Sequence, residues 1–403
     1  MTAIYLLLLL ICVTAVLHTY VIYPWLMLGW AGSRDAKELG EGVESPPKPT
    51  VFPPVAVLMA AHNEEAVLEE KLATLAAQDY AGELTFYVGS DCSTDRTNAI
   101  LEAWAARNGR FRPTLFDSRR GKPAIINQLA AQAGKEGIYL MTDASVMLRP
   151  DVVTQLVRPM LEDPTIGVVD STMLQTGGRA EGIGYAEETY ISREVDVKRA
   201  EGRRWGAMIG PFGGCWALRA EAFTPVPDNF LVDDFFLCMS AYERGFRGVS
   251  SEEAIVEEGV GQSLKDEFRR KVRISGGNWQ NLFRFRKLWW PFWKNPLAYA
   301  FFSHKVLRWW TPFFLLIGLL SWMALLLSLG YENNYWPGLL LASLINAAIM
   351  LPVLDFVLTF YDIHFRPARF TTYFLAMNAA LLVGFYRYLT GIRTNVWQPS
   401  QRH

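Results

Sequence analysis

Val55-Ala56-Val57-Leu58-Met59-Ala60, running straight into Ala61-His62-Asn63-Glu64-Glu65, decides the fold. An unbroken apolar run suits a strand buried on both faces, as in a parallel sheet covered by helices. The polar cluster ends that strand, and a helical pattern continues through Ala77. The alternation recurs downstream. Leu84 to Val88 reads as a second strand and Thr97 to Ala106 as the following helix. Ile138 to Met141 and Ile166 to Asp170 read as further strands. Such alternation predicts an open α/β sheet with ligands at the carboxyl ends of its strands. His62 to Glu65, Ser90 to Asp95 and Asp143 all fall at those ends.

Outward from this sheet the character changes. The chain has 403 residues, 51% of them hydrophobic, and a formal net charge of -1. Residues 1–31 read as an N-terminal transmembrane helix: Ala3 to Trp30 is nearly free of charge and long enough to cross a bilayer. Without a basic start or a small-residue cleavage site, it reads as a retained anchor. Residues 32–54 form a linker rich in Gly, Pro and charge, and residues 55–282 a soluble domain large enough for a substantial core. Residues 283–310 read as an amphipathic interfacial segment, because the basic Lys265 to Lys287 stretch runs into Leu288-Trp289-Trp290-Pro291-Phe292-Trp293. The neighbouring spans make nucleic-acid binding the poorer reading of those charges. Residues 311–390 hold two or three membrane helices, Thr311 to Leu329, Tyr335 to Phe360 and Thr371 to Tyr388, and residues 391–403 a tail.

Arg34, Lys37, Arg366 and Arg369 place the soluble domain in the cytoplasm. If the last segment spans, Arg387, Arg393 and Arg402 end outside, so a re-entrant or interfacial last helix is the alternative. Asp355 and His364 are ionisable groups in or beside apolar sequence. Asp355 lies near a span end, which suits snorkelling or helix pairing. Four scattered cysteines show neither a disulfide framework nor a CxxC metal site, as in a reducing compartment.

Three separated acidic stations, Asp91, Asp143 and Asp233-Asp234, precede the basic run Arg270-Lys271-Val272-Arg273. Together they suggest a site that handles a metal, a diphosphate and a proton. Each has a plainer reading: an Asx turn at Ser93 to Asp95, a solvated loop at Arg119 to Lys122, a helix N-cap at the Asp pair.

In order, Ala61-His62-Asn63-Glu64-Glu65, Ser90-Asp91-Cys92-Ser93-Thr94-Asp95, Gly121-Lys122-Pro123, Thr142-Asp143-Ala144 and Val232-Asp233-Asp234 resemble the motifs of family 2 glycosyltransferases. These are inverting, nucleotide-sugar-dependent enzymes with a GT-A (Rossmann-like α/β) fold, and the resemblance covers Val55 to Gln280. The hydrophobic flanks resemble the membrane-bound branch that includes hyaluronan, cellulose and poly-N-acetylglucosamine synthases.

The resemblance implies roles. Asp91 would read the base, accepting the imide N–H of a uracil, which implies a UDP-sugar donor. Asn63, Glu65, Lys122, Asp143, Arg270 and Arg273 would complete the nucleotide-sugar site. Asp143 matches the first acid of a DxD motif that binds Mg2+ or Mn2+, though Ser145 stands where the second acid belongs. Asp234 would be the general base, with Asp233 orienting it or touching the acceptor. Gly213, Gly214 and Trp216 would lie on the acceptor side, with a core role for Trp216 as the alternative.

Arg273 matches the arginine of QxxRW, while Arg270 and Ile274 replace its glutamine and tryptophan. Loss of that tryptophan points to a non-processive enzyme unless Trp279 compensates. The implied protein is an integral membrane enzyme of a bacterial inner membrane with a cytoplasmic catalytic domain. It would move a hexosyl or N-acetylhexosaminyl unit to a lipid-linked or glycan acceptor at the bilayer. A processive exopolysaccharide synthase and a non-catalytic glycosyltransferase-like subunit are the alternatives. Trp397 to Arg402 also resembles a C-terminal pattern of membrane-bound relatives.

Overall fold

The computed structural model describes residues 2–29, 51–176, 183–259, 264–332, 350–361, 363, 365–392 and 395. Its strands are β1 (Val55–Ala61), β2 (Leu84–Asp91), β3 (Phe111–Phe116), β4 (Ile138–Thr142), β5 (Val146–Leu148), β6 (Ile166–Thr176), β7 (Cys215–Arg219) and β8 (Arg247–Gly259). They form one sheet in the order β3-β2-β1-β4-β7-β6-β8-β5. The β3-β2-β1-β4 half is parallel, whereas β7 runs antiparallel to both β4 and β6.

The helices are α1 (Thr2–Gly29), α2 (Glu65–Ala76), α3 (Thr97–Arg107), α4 (Lys122–Ala133), α5 (Val152–Glu162), α6 (Ile183–Trp205), α7 (Asp233–Glu243), α8 (Leu264–Arg284), α9 (Pro296–Ser328) and α10 (Arg366–Leu389). Alternate residues of β1 enter opposite cores. Leu58 packs with Ile125 and Leu129 of α4 on one face; Val57 and Met59 pack with Leu68 and Leu72 of α2 on the other. That is why its sequence shows no polar side.

Sequence reading missed β3, β5, β7 and β8. The longest of them, β8, carries Glu252, Glu253, Glu257 and Glu258, and its register with β6 slips between Asp170 and Thr172. Several of its charges are answered by arginines distant in sequence: Arg199 Nε lies 3.3 Å from Glu252, and Arg149 Nη2 3.0 Å from Glu257. No local pattern reveals such partners.

Three helices, α1, α9 and α10, are long and apolar enough to cross a membrane. α1 and α9 run antiparallel, tied at opposite ends by Thr2 to Ser328 at 2.6 Å and His18 Nε2 to Ser303 at 2.9 Å. α9 begins at Pro296, not Thr311, behind an Asn295 cap whose Oδ1 accepts from the Ala298 amide at 2.8 Å. The expected interfacial segment, residues 283–310, thus overlaps the first turns of α9. Arg286 to Trp289 form a short helix, exposed Trp290 and Trp293 follow, and the rest already belongs to the span.

Met350 to Phe360 is helical, and the remainder of that predicted span lies mostly outside the described residues. Asp355 pairs with Arg369 of α10 at 3.2 Å, so its role is helix pairing. Arg34, Lys37, His364, Arg393, most of the 32–54 linker and Trp397 to Arg402 lie outside the described residues.

Candidate active site

The strand ends build the site. β1 and β2 stop at turns in which Asn63 and Cys92 both adopt φ of 53°, a conformation uncommon outside glycine. These turns bond to each other. Asn63 Oδ1 accepts from the Thr94 amide at 2.8 Å, the Glu65 amide donates to Asp95 Oδ2 at 3.1 Å, and the Arg96 amide donates to Glu65 Oε2 at 3.0 Å. Asn63 and Glu65 therefore act here as scaffold for the loop after β2. Asp95 caps it, as its bond from the Thr97 amide at 3.0 Å shows.

Asp91 ends β2 and is fully buried. Its carboxylate accepts from the Arg120 amide at 2.6 Å, the Gly121 amide at 3.2 Å and Arg119 Nε at 3.0 Å. Arg119 Nη1 also lies 2.6 Å from His62 Nε2, and His62 Nδ1 lies 2.8 Å from the Asp91 carbonyl. An arginine can only donate, so His62 carries its proton on Nδ1 and gives it to that carbonyl. Burial, then the Arg119 charge, push the His62 pKa down. Three of about four acceptor directions on the Asp91 carboxylate are thus engaged, leaving about one for a base imide.

Gly121 leads into α4, whose first residue is Lys122. Its ammonium lies 2.7 Å from Asp143 Oδ1 and 3.9 Å from Asp233 Oδ2, joining the β4 end to the start of α7. Burial opposes this charge, but Asp143, then Asp233 and Asp234, outweigh it and hold Lys122 above the ordinary lysine range. Asp143 is fixed through its amide, which donates to the Gly214 carbonyl at 3.0 Å.

Asp234 lies in the first turn of α7, with Oδ1 accepting from the Phe235 amide at 2.6 Å. Gly213, at φ +93°, is so close to Oδ2 that a Cβ there would collide with it. Burial, then the like charge of Asp233, push Asp234 up to about 6 against the pull of Lys122. Gly213 and Gly214 therefore touch the acids themselves, Gly213 against Asp234 and Gly214 through its carbonyl to Asp143.

α8 closes this side. Gln280 Oε1 accepts from the Leu231 amide at 3.1 Å, and Asn281 Nδ2 donates to the Val232 carbonyl at 3.1 Å, pinning the segment that delivers the Asp pair. Gly277 of α8 admits Leu231 and Val232 where any side chain would clash. Burial lowers the Arg273 pKa, while Asp233, Asp143 and Asp234 pull it back; Arg270 adds to the fall. Arg273 thus faces the same acids, with Arg270 beside it.

Two sequence expectations are corrected. Trp216 is 1% exposed and paired with Met141 and Asp170 across the sheet, so its ring is core and no platform for a sugar. Trp279 is fully buried among Trp310, Phe313 and Phe385 and does not replace the missing aromatic of QxxRW.

Residues 56–224 match the family model described as Glycosyl transferase family 2. The chain resembles that family over fewer than half of its residues. It is 30% identical over 188 residues to an N-acetylglucosaminyltransferase of Rhizobium leguminosarum bv. viciae, covering 44% of this chain and 42% of that one. With an N-acetylglucosaminyltransferase of Rhizobium meliloti (strain 1021) it shares 27% over 265 residues, 60% and 59% of the two chains. The chain thus spans about half the length of these curated relatives. A mannosyltransferase from Pyrobaculum calidifontis, solved in complex with GDP-Man and Mn2+, shares the fold with a TM-score of 0.66 at 22% identity. That likeness covers 95% of this chain and 99% of the other. The α/β sheet and its helices have the GT-A fold expected from the sequence.

Sequence reasoning passed over two further residues of this domain. Glu64, between the two chosen polar residues, is pushed up to about 7 by burial, then by Asp143 and Asp95. Lys71 is fully buried and donates to Thr142 Oγ1 at 2.7 Å and to the Val146 carbonyl, bracing the loop that carries Asp143. A lysine in the stripe Leu68-Lys71-Leu72-Leu75 was the signal available.

Asp143 offers carboxylate oxygens, the donors that a hard divalent cation requires, with Oδ1 paired to the Lys122 ammonium at 2.7 Å. Ser145 Oγ, in the place of the second acid, donates to Glu258 Oε1 at 3.1 Å. Among the described residues no three His, Cys, Asp or Glu side chains converge as a metal cage. This donor set fits a cation that takes most of its ligands from diphosphate and water.

Proposed function

We propose that the protein is a membrane-anchored inverting glycosyltransferase that moves a hexosyl or N-acetylhexosaminyl unit from a UDP-sugar to a lipid or glycan acceptor at the bilayer. The observation that carries this reading is the convergence of Lys122, Asp143, Asp233 and Asp234 on one another, with Arg273 facing them. Asp234, raised to about 6, is a stronger base than an ordinary carboxylate and still ionised at neutral pH. It takes the acceptor proton as the hydroxyl oxygen attacks the anomeric carbon and the bond to the diphosphate breaks. Lys122 and Arg273 meet the charge that develops on the leaving group. A divalent cation held through Asp143 would supply further neutralisation of that diphosphate.

The one remaining acceptor direction on Asp91 supports its reading of the base. The rhizobial relatives support an N-acetylglucosaminyl donor, and the archaeal neighbour adds GDP-Man to the donors worth testing. Burial of Trp216 and Trp279 removes the two candidate sugar platforms and favours non-processive transfer. The basic and aromatic residues before α9 support a catalytic domain held against the cytoplasmic face of a bacterial inner membrane.

The test is nucleoside diphosphate release by purified protein in nanodiscs, with UDP-N-acetylglucosamine, UDP-glucose and GDP-Man, with and without EDTA, and with membrane lipid extract as acceptor. Turnover with a UDP-sugar that falls about tenfold or more in Asp143→Ala is expected. Binding of UDP without turnover of any donor would instead identify a non-catalytic subunit.

A further inference from the structure

Asp170 and Lys198 are buried behind the loop that backs the base, and no sequence motif includes either. Asp170 sits where β6 bends. Its Oδ2 accepts from the Phe212 amide at 2.8 Å and its Oδ1 from the Ser171 amide at 3.1 Å. Lys198, on α6, places its ammonium 5.3 Å from the centre of the Phe212 ring. Phe212 is thus held through its amide by one residue and across its ring by the other. The next residue, Gly213, abuts Asp234 Oδ2. The loop is a wedge with Asp170 and Lys198 on one side and Asp234 on the other. Its start is fixed as well, since the Ile209 amide donates to Glu201 Oε2 at 3.1 Å.

We propose that Asp170 and Lys198 are positioning residues for the base, Asp170 by anchoring the loop against Asp234, and Lys198 by holding the Phe212 ring and setting a cation beside the buried Asp170 and the half-buried Asp234. This rests on the reading of Asp234 as the base. Two carboxylates at this depth repel each other and lose hydration, so a nearby cation decides how far both can stay ionised. The groups facing Asp170 are Lys198 from α6, Cys215 from β7, and Asp234, Cys238 and Tyr242 from α7. Those facing Asp234 are Asp233 from its own helix, Lys122 from α4, Lys198 from α6, Asp170 from β6 and Arg273 from α8. Burial pushes Asp170 up to about 7, with Asp234 adding to the rise and Lys198 opposing it.

The substitution Asp170→Asn removes the charge and keeps one acceptor oxygen, enough for the Phe212 amide that anchors the loop, while the bond from the Ser171 amide is lost. It moves the acid limb of kcat/KM, measured as UDP release from UDP-N-acetylglucosamine, to lower pH by about half a unit or more. Lys198→Met moves that limb the other way. Asp170→Ala also frees the loop, and kcat falls about tenfold with the donor KM within about twofold. A merely structural pair would lower the melting temperature and leave the limbs on the wild-type curve, which would overturn the proposal.

Melting reads the same charges without turnover. An acid raised in the folded state binds a proton there that the unfolded chain has already lost. The contribution of Asp170 to stability therefore falls as pH rises between about 4 and 7. Asp170→Asn flattens this slope; parallel slopes would contradict the proposal. Full turnover in Asp234→Asn would remove the base reading by itself, whatever the Asp170 and Lys198 limbs do.

Discussion

The donor half of the site and the membrane-facing half hold their charges by different means. Around Asp91, Lys122 and Asp143 the holding groups lie in the loops after parallel strands: the Arg120 and Gly121 amides on the Asp91 carboxylate, and the Lys122 ammonium on that of Asp143. On the membrane side, side chains far apart in sequence meet in the interior. Glu194 of α6 receives Lys305 and Arg308 of α9, and His304 lies 3.0 Å from Glu194 and 2.7 Å from Glu201. Tyr23 of α1 donates to Glu201 at 2.7 Å. Burial alone would raise Glu194, but Arg308, His304 and Lys305 hold it well below the usual carboxylate range. Glu201 also accepts from Ile209, so this cluster connects the membrane helices to the loop behind Asp234. The donor half is a local construction. The other half depends on the spans being in place.

That contrast predicts where damage spreads. The largest stability effect belongs to Glu194→Ala, which leaves Lys305 and Arg308 buried without their carboxylate. A loss of about 3–5 kcal/mol is expected, measured by thermal unfolding in nanodiscs. A loss under 1 kcal/mol would mean that the cluster does not bind the halves together. In the donor half, Lys71→Met keeps the volume but drops the bonds to Thr142 and Val146. Turnover falls about tenfold through misplacement of Asp143, while the melting temperature changes little, because a costly buried charge also disappears. The smallest effect belongs to Arg120→Ala. Its amide, not its side chain, holds Asp91, so UDP affinity by calorimetry stays within about twofold. Arg119→Ala weakens it about tenfold, since the buried Asp91 then loses its ion-pair partner.

The same division explains what the sequence disclosed. That Lys122 and Asp143 would lie near the Asp233-Asp234 pair was legible because parallel strands deliver the first two to one edge of the sheet, and each loop carries its own polar signature. Asn63 and Glu65 were placed in the right loop but given a ligand's role, whereas Glu64 between them faces Asp143. The sequence left Trp216 and Trp279 open between ligand and core, because an aromatic next to a motif looks the same in either setting; both are core. Asp170, Lys198, Glu194 and Glu201 left no signal. A charge on a long helix reads as solvated until the helix is known to pack against another carrying its counter-charge.

The central claim is that Asp234 deprotonates the acceptor in a site otherwise complete for donor binding. Its most direct test pairs turnover with binding in Asp234→Asn: UDP release from the preferred UDP-sugar beside UDP affinity by calorimetry. Release lowered about 10²–10⁴-fold, with UDP affinity within a few-fold of wild type, is expected of a lost base. Release near the wild-type rate at unchanged affinity would contradict the claim.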